Sequence, residues 1–274
     1  MQCVHPILLP RKHYRGEKQK KYETHIEGVP CGKCIACKIN QSTEWADRLI
    51  HEYETNPVGG FVTLTYDDDH VKMFNGTLTL HEPDMQLWFK KLRWHLEQEG
   101  CSTEIKYFYC GEYGSETKRP HYHAIIIGVD IPTLRTLGNR LWKMCDPECY
   151  KVELICPESI RYVTGYISKA VEADTIRYAK EHGIQKPYQR MSKNIGLKWM
   201  SKNKKEIREK LSIITIEGAI HPLPRYYKKK LHITKNDYPD KTPDEFKKFH
   251  DNMKNAEQRE KNLIAQKRAK GQKL

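Results

Sequence analysis

The segment that decides the fold is residues 104–127, which read EIKYFYCGE at 104–112, YGSETKRP at 113–120 and HYHAIII at 121–127. The first and third stretches are rich in aromatic and β-branched residues, whereas the middle stretch is short and polar. This pattern predicts two antiparallel strands joined by a hairpin. Because the chain turns back on itself, side chains near the turn are brought together from both strands.

Two histidines and a glutamate near this turn form a possible metal site. Side chains alternate along a strand, so His121 and His123 are expected on one face and Tyr122 on the other, with Glu112 returned beside the histidines. This set suits Mn²⁺, Fe²⁺ or Zn²⁺, and accepts Mg²⁺ when phosphate oxygens supply the remaining ligands. The alternative interpretation is two partly exposed strand histidines, because short motifs often arise by chance.

The rest of the chain alternates between helical and extended patterns. Apolar residues recur at three- or four-residue spacing in four segments, which predicts helices at 40–54, 83–100, 132–143 and 157–171. Further strands are expected at 61–66 and 150–155. Helices alternate with strands while one connection is a hairpin, so the expected fold class is α+β with antiparallel pairs.

The last predicted helix carries a stripe of reactive side chains. Tyr162, Tyr166 and Lys169 stand at i, i+4 and i+7 and share one helix face. Such a stripe is often the edge of a core. Beside a metal that binds phosphate, however, a phenol can act as a nucleophile, helped by the cation and by a nearby ammonium.

The nine cysteines are an odd number without a secretory context, so reduced thiols or metal ligands are expected rather than disulfides. Cys31, Cys34 and Cys37 form a C-x-x-C-x-x-C run, and Cys3 is the nearest candidate for a fourth ligand. Structural Zn²⁺ is favoured, since a bacterial iron–sulfur run would continue to a fourth nearby cysteine. Two further cysteines are expected to be core thiols: Cys101 and Cys110.

Charge and hydropathy narrow the class of protein. The 274 residues carry a net charge of +13, and the mean hydropathy is −0.79. No apolar run approaches the roughly 20 residues that span a bilayer, and residues 1–6 do not suit a signal peptide. These features argue against a membrane or secreted protein. Residues 201–274 contribute 20 Lys and Arg against 10 Asp and Glu, which suggests a nucleic-acid partner.

Taken together, the motifs resemble those of HUH endonucleases, and in particular the replication initiators of small single-stranded DNA bacteriophages of the microvirus (gokushovirus) group. Each motif is weak alone, and their order and spacing carry the resemblance over about residues 1–200. The matching segments are PCGKCIAC at 30–37, FVTLTY at 61–66, GEYG at 111–114, RPHYH at 119–123, YVTGYISK at 162–169 and RMS at 190–192, with a weaker echo in PRYYK at 224–228.

The resemblance implies a fold and a domain order. We expect an HUH-type central antiparallel sheet of five strands flanked by helices. An N-terminal Cys-rich knuckle and helix at 1–58 would precede the endonuclease domain at 59–205. A basic extension, helical or partly disordered, would follow at 206–274.

The resemblance also implies a reaction. Mg²⁺ or Mn²⁺ on His121, His123 and Glu112 would assist a tyrosine that nicks the origin and forms a 5′-phosphotyrosine, starting rolling-circle replication. In related two-tyrosine initiators a lysine lies three residues after each tyrosine. Tyr166 has Lys169 at that spacing and the other tyrosine has a glycine, so Tyr166 ranks first as nucleophile and Tyr162 second.

The expected partner is single-stranded or extruded origin DNA in the cytoplasm of a bacterial host, with a host helicase and polymerase as further partners and no membrane. Such DNA is held by Lys and Arg on phosphates and by aromatic rings on bases. The candidate contacts are Arg119, Arg190, Lys193, Lys198, Trp199, Arg225, Tyr226, Tyr227 and Lys228.

Two alternatives use the same residues differently. One is a non-enzymatic, zinc-containing DNA-binding protein in which the histidine pair is incidental. The other keeps the HUH chemistry in a plasmid initiator, relaxase or transposase. Relaxases commonly place the nucleophile near the N-terminus, whereas both tyrosines here follow the histidines, and this order favours an initiator.

Overall fold

The computed structural model describes residues 2–10, 26–145, 149–169, 173–239 and 243–271. The chain divides into two compact units, one of Ser42–Tyr238 and one of Met1–Gln41 with Pro239–Leu274. The predicted boundaries at residues 58 and 205 concern which parts are functional domains, and they stay predictions.

The secondary structure follows the expected order of strands and helices. The strands are β1 (Ile7–Pro10), β2 (Ile26–Val29), β3 (Gly59–Leu64), β4 (Met73–Phe74), β5 (Thr77–Leu78), β6 (Lys106–Tyr113), β7 (Pro120–Ile127), β8 (Lys151–Glu153), β9 (Tyr188–Met191), β10 (Ser212–Ile214) and β11 (Ile220–Pro222). The helices are α1 (Ile35–Thr55), α2 (Glu82–Gln98), α3 (Ile131–Thr133), α4 (Asn139–Trp142), α5 (Pro157–Lys169), α6 (Ala173–Glu181), α7 (Leu197–Lys202), α8 (Lys204–Lys210), α9 (Arg225–Lys230), α10 (Pro243–Lys254) and α11 (Ala256–Gly271).

A five-stranded sheet forms the centre of the larger unit. Its strand order is β8-β3-β7-β6-β9, and every pairing is antiparallel. The β6–β7 pair is the hairpin read from residues 104–127, and it occupies the middle of the sheet. The expected α+β class, with an antiparallel five-stranded sheet flanked by helices, is confirmed.

The two faces of the sheet bury different sets of side chains. On β7, Tyr122, Ala124 and Ile126 join a core cluster with helix α2. Ile125 and Ile127 point the other way and join a second cluster with α1 and α5. Alternation along β7 therefore puts the histidines at 121 and 123 on the face that α5 covers. This packing brings the tyrosine helix to the metal-binding end of the hairpin.

The predicted helix at 132–143 contains a turn that periodicity did not show. Between α3 and α4, residues Leu134–Gly138 form a π-helical turn. The carbonyls at its two ends accept hydrogen bonds from the core: Tyr150 donates to Leu134 and Trp88 donates to Gly138, both at 2.9 Å. These tertiary partners stabilise the wider turn, so a local pattern could not predict it.

Other differences from the predicted elements are smaller. Helix α1 begins at Ile35, before the predicted start at residue 40. The predicted end of the fourth helix, residues 170–171, lies outside the described residues. The expectation for Cys101 is wrong, since its side chain is exposed, whereas Cys110 is buried as expected.

A third core cluster binds part of the basic end of the chain to the larger unit. Met200, Ile207, Ile213, Leu223 and Tyr227 are its main buried members. Residues up to 238 thus belong to a folded core, although the sequence groups them with the basic extension. Among the helices formed by the described residues, none has the length and apolar character to span a bilayer.

Candidate metal and tyrosine site

The turn end of the β6–β7 hairpin carries three side chains that converge. The strand register places Glu112 directly opposite His121, and His123 follows two residues later on the same face. Glu112 Oε1 lies 2.9 Å from His121 Nε2 and 3.3 Å from His123 Nε2. The hairpin thus brings the three predicted ligand side chains together, with ligand atoms that all lie within 4.8 Å of one another.

Each imidazole is also held at its other ring nitrogen. His121 Nδ1 donates to the carbonyl oxygen of Arg119 at 3.2 Å, because a carbonyl can only accept. His123 Nδ1 lies 3.0 Å from Thr63 Oγ1 on the neighbouring strand β3. Contacts of this kind fix the ring orientation of metal-binding histidines and direct Nε2 toward the ion. Two directed imidazoles and a carboxylate therefore fit a divalent cation, with room for oxygen ligands from a phosphate.

The charges in this site are set by burial and by mutual pairing. Burial opposes the charged form of Glu112, but its hydrogen bonds to the two histidines prevail and leave the pKa of Glu112 lowered. Burial also opposes protonation of His121, yet the Glu112 partner raises the pKa of His121. For His123 burial prevails and lowers the pKa. The carboxylate is therefore ionised at neutral pH, as a metal ligand must be.

Helix α5 places both tyrosines beside this donor set. Tyr162 Oη lies 3.4 Å from His123 Nε2, and Tyr166 donates to Tyr162 Oη at 2.6 Å. Tyr166 is 5% exposed, whereas Tyr162 is half-buried. Burial raises the pKa of Tyr162, and the hydrogen bond from Tyr166 acts in the opposite direction. The hydroxyl nearest the donor atoms is therefore also the better supported phenolate.

Lys169 lies against both rings rather than one. Its Nζ is 4.3 Å from the ring centroid of Tyr166 and 5.4 Å from that of Tyr162. A single ammonium can thus stabilise negative charge on either tyrosine. The spacing argument that ranks Tyr166 first loses its force, because the glycine at 165 does not leave Tyr162 without a lysine.

Comparison with known proteins matches this region to a family. The sequence profile of the replication-associated protein ORF2 family matches residues 59–171, which include the hairpin and helix α5. Replication-associated protein VP4 of Bdellovibrio phage phiMH2K is 30% identical over 251 residues, covering 83% of this chain and 76% of that protein. The chain belongs to this family of phage replication-associated proteins. The predicted resemblance to microvirus replication initiators is thereby confirmed.

A second relative of this replication-associated protein is similar over much of its length. Replication-associated protein ORF2 of Spiroplasma virus 4 is 28% identical over 262 residues, with 84% of this chain and 80% of that protein covered. Among solved structures, the N-terminal nuclease domain of minute virus of mice non-structural protein 1 is 14% identical, covering 68% of this chain and 88% of that one, with a TM-score of 0.22. That similarity is too low to carry an argument.

Several predicted DNA contacts of the replication-associated protein have internal partners. Arg190 makes a two-bond ion pair with Glu82, with Nε–Oε1 and Nη2–Oε2 distances of 2.7 and 2.8 Å. Arg119 donates to the carbonyl of Tyr66 at 2.9 Å and to Asp68 at 2.6 Å. These arginines could reach phosphate only by sharing or releasing such partners. The candidates with exposed side chains are Lys193, Lys198 and Arg225.

The aromatic candidates serve the third core cluster. Tyr227 has no exposed surface and lies 3.0 Å through its hydroxyl from His51 Nδ1. Trp199 stacks on the same histidine, with ring centroids 3.5 Å apart. Tyr227 therefore cannot offer its ring to a base in this structure, which corrects the assignment made from sequence. Tyr226 and Lys228 are half-buried, and the guanidinium of Arg48 lies 4.0 Å from the ring of Tyr226.

Two residues of the site were missed in the sequence. Thr63 reaches His123 because β3 pairs with β7 and places these two residues opposite each other. Gln189 on β9 donates to the backbone oxygen of Tyr166 at 3.3 Å. Thr63 lies in the FVTLTY segment, and strand pairing would have identified it. Nothing local marks Gln189.

Proposed function

We propose that this replication-associated protein is an HUH-type, metal-dependent endonuclease and strand transferase that nicks the origin strand and starts rolling-circle replication of a single-stranded DNA phage genome. The observation that carries the proposal is the position of the Tyr162–Tyr166 hydroxyl pair. It lies 3.4 Å from an imidazole nitrogen that also faces a carboxylate. A phenol beside two imidazoles and a carboxylate suits attack on a phosphodiester.

The metal site has a defined role in this reaction. Glu112, His121 and His123 would hold Mg²⁺ or Mn²⁺, which when bound supplies Lewis-acid polarisation of the scissile phosphate. Thr63 and the Arg119 carbonyl keep the two Nε2 atoms directed at the site. The mostly buried position of Glu112 keeps its carboxylate away from bulk water and in a fixed orientation.

Tyr162 is the better placed nucleophile for the first attack. Its hydroxyl is the one next to the donor set, and it accepts a hydrogen bond from Tyr166 that favours the phenolate. Lys169 adds a positive charge near both rings. Tyr166 is then available for a second transfer once the first tyrosine carries DNA. This order is opposite to the one that lysine spacing suggests.

The transfer balances without an energy source. A bond forms between the tyrosine oxygen and phosphorus while the bond from phosphorus to the deoxyribose 3′-oxygen breaks. The phenolic proton leaves through solvent at the half-buried hydroxyl of Tyr162, and the 3′-oxygen takes up a proton. One phosphodiester replaces another, so the strand can be rejoined by the reverse step. The free 3′-hydroxyl would be extended by a host polymerase behind a host helicase, in the cytoplasm of the bacterial host.

The decisive test uses a single-stranded oligonucleotide with the cognate origin sequence. Labelled at its 3′ end and incubated with Mn²⁺, it should give a protein–DNA band that survives denaturation. Labelled at its 5′ end, it should give a shorter free fragment that a polymerase can extend. Tyr162→Phe/Tyr166→Phe should abolish both products, while Tyr178→Phe, which alters a ring on the opposite face of the sheet, should retain them.

The outcomes separate the candidate functions. Metal-independent binding without an adduct, across authentic origin sequences, would favour a DNA-binding protein without nuclease activity. Cleavage that survives the double substitution would indicate a metal-activated water in place of the tyrosines. Loss of the adduct in Tyr166→Phe with full retention in Tyr162→Phe would reverse the proposed order of the tyrosines.

The basic C-terminal helices should add affinity that depends on salt. Helix α11 contains five Lys and Arg against two Glu, and each phosphate contact on a single strand contributes a slope of about −0.7 to log K against log salt. Glutamine in place of Lys254 and Lys261, two exposed side chains, should therefore make the slope shallower by up to about 1.4. Fluorescence anisotropy at several salt concentrations measures this. An unchanged slope would show that these lysines do not touch phosphate.

A further inference from the structure

Four cysteines outside the nuclease site form a compact cluster in the smaller unit. The sulfur atoms of Cys3, Cys31, Cys34 and Cys37 all lie within 4.8 Å of one another, and the Cys3 and Cys34 sulfurs are 3.7 Å apart. A disulfide needs about 2.0 Å. In contrast, zinc–sulfur bonds of about 2.3 Å in a tetrahedron place sulfurs about 3.8 Å apart. The spacing is that of ligands around one ion.

The backbone around these sulfurs is arranged to support thiolates. The amides of Lys33 and Cys34 both donate to Cys31 Sγ at 3.4 Å, and the amide of Cys31 donates to Cys3 Sγ at 3.3 Å. Gly32 adopts a φ of +73°, which allows the turn that directs these amides. Hydrogen bonds from N–H groups to ligand atoms stabilise negative charge and orient the ligands.

The same cluster is packed against residues from the C-terminal part of the chain. Ala256 and Leu263 of α11 lie against the buried side chains around the cysteines. Two polar contacts flank this packing: His5 Nε2 to Glu260 at 2.7 Å and Asn252 to Gln2 at 2.7 Å. Residues from opposite ends of the chain are thus held together on either side of four thiols, and the apolar area between them is small.

We infer that Cys3, Cys31, Cys34 and Cys37 bind a structural Zn²⁺ ion, and that this ion holds the N-terminal segment and helices α10 and α11 together as one metal-dependent unit. The sulfurs are too close together to be ligands of separate irons in a cluster. A closed set of four thiolates leaves no open position for water or substrate. The ion therefore has a structural role, independent of the proposed nuclease reaction.

Metal content of the full-length protein tests the site. After treatment with EDTA and desalting, the wild type should retain one zinc ion per chain by elemental mass spectrometry. Cys31→Ser/Cys34→Ser should retain none, and Cys101→Ser, at an exposed cysteine elsewhere, should retain the ion. His121→Ala/His123→Ala should also retain it, because the nuclease donors are separate. No zinc in the wild type, iron in its place, or zinc retained in the double serine variant would overturn the assignment.

A second measurement covers the case in which the serine variant does not fold. In wild-type protein, Zn²⁺ is removed with a thiol reagent and restored after reduction, and Co²⁺ is added in a parallel sample. Co²⁺ should give the visible bands of tetrahedral thiolate coordination. Removal should also cost the amides of α10 and α11 their protection from hydrogen exchange, with α5 unchanged. Octahedral Co²⁺ spectra, or unchanged exchange in α11, would contradict the inference.

Discussion

Protonation of a single buried histidine should make the larger unit sensitive to mild acid. His51 is 3% exposed and lies between the rings of Trp199 and Tyr227, with centroid distances of 3.5 and 5.9 Å. Burial lowers the pKa of His51 from 6.5 to about 4. In the unfolded chain the same imidazole is solvated and titrates near its ordinary value.

The sign and size of the effect follow from this difference. Above pH 6.5 the imidazole is neutral in both states and contributes no pH dependence. As the pH falls toward 4, the unfolded chain binds a proton that the folded protein does not, so stability is lost. One pKa unit is worth about 1.4 kcal/mol, and the full loss attributable to His51 is therefore about 3 kcal/mol.

Urea unfolding between pH 7.5 and 4 isolates this contribution by difference. His51→Phe keeps a flat ring but cannot be protonated, so it should lose about 3 kcal/mol less than the wild type over this range. It should also be less stable at neutral pH by about 1–3 kcal/mol, because the buried Tyr227 hydroxyl loses its partner.

Tyr227→Phe is the matched control. It removes the same hydrogen bond but leaves His51 buried, and burial is the cause of the shifted pKa. Its acid sensitivity should therefore equal that of the wild type. If His51→Phe and the wild type lose the same stability between pH 6.5 and 4, His51 is not buried as a neutral group and the stacked cluster is incorrectly described.

Two further predictions concern the site and its supporting helices. Thr63→Val removes the hydroxyl that orients His123, and should weaken Mn²⁺ binding by about 10- to 100-fold in calorimetry with little change in unfolding free energy; unchanged affinity would contradict the orienting role. Gly138→Ala should cost about 1–3 kcal/mol because its methyl would collide with the Tyr150 hydroxyl. Gly165→Ala, with open space around it, should gain about 1 kcal/mol, and equal effects at the two glycines would refute the packing at Gly138.

The sequence predicted the parts of the site that depend on local pattern. Alternation along the second strand gave His121 and His123 a common face, and the hairpin returned Glu112 to them. The i, i+4 spacing gave Tyr162 and Tyr166 a common helix face. These relations follow from the geometry of one strand, one turn and one helix, so a sequence alone can show them.

Relations between elements distant in the chain were not predictable in the same way. Which face of the sheet α5 covers depends on the packing of two core clusters, and that packing places Lys169 near both tyrosines. Trp199 and Tyr227 look like DNA-stacking residues beside lysines. They instead bury His51, which lies far earlier in the chain. Composition does not distinguish an aromatic ring on a basic surface from one beneath it.

The central claim is tested most directly by identifying the atom that joins protein to DNA. Origin single strands labelled at the 3′ end are incubated with Mn²⁺ and the full-length protein, and the covalent product is digested and sequenced by mass spectrometry. We predict a 5′-phosphate on Tyr162, with Tyr166 modified in the Tyr162→Phe variant. Cleaved DNA with a free 5′-phosphate and no modified tyrosine would contradict the account.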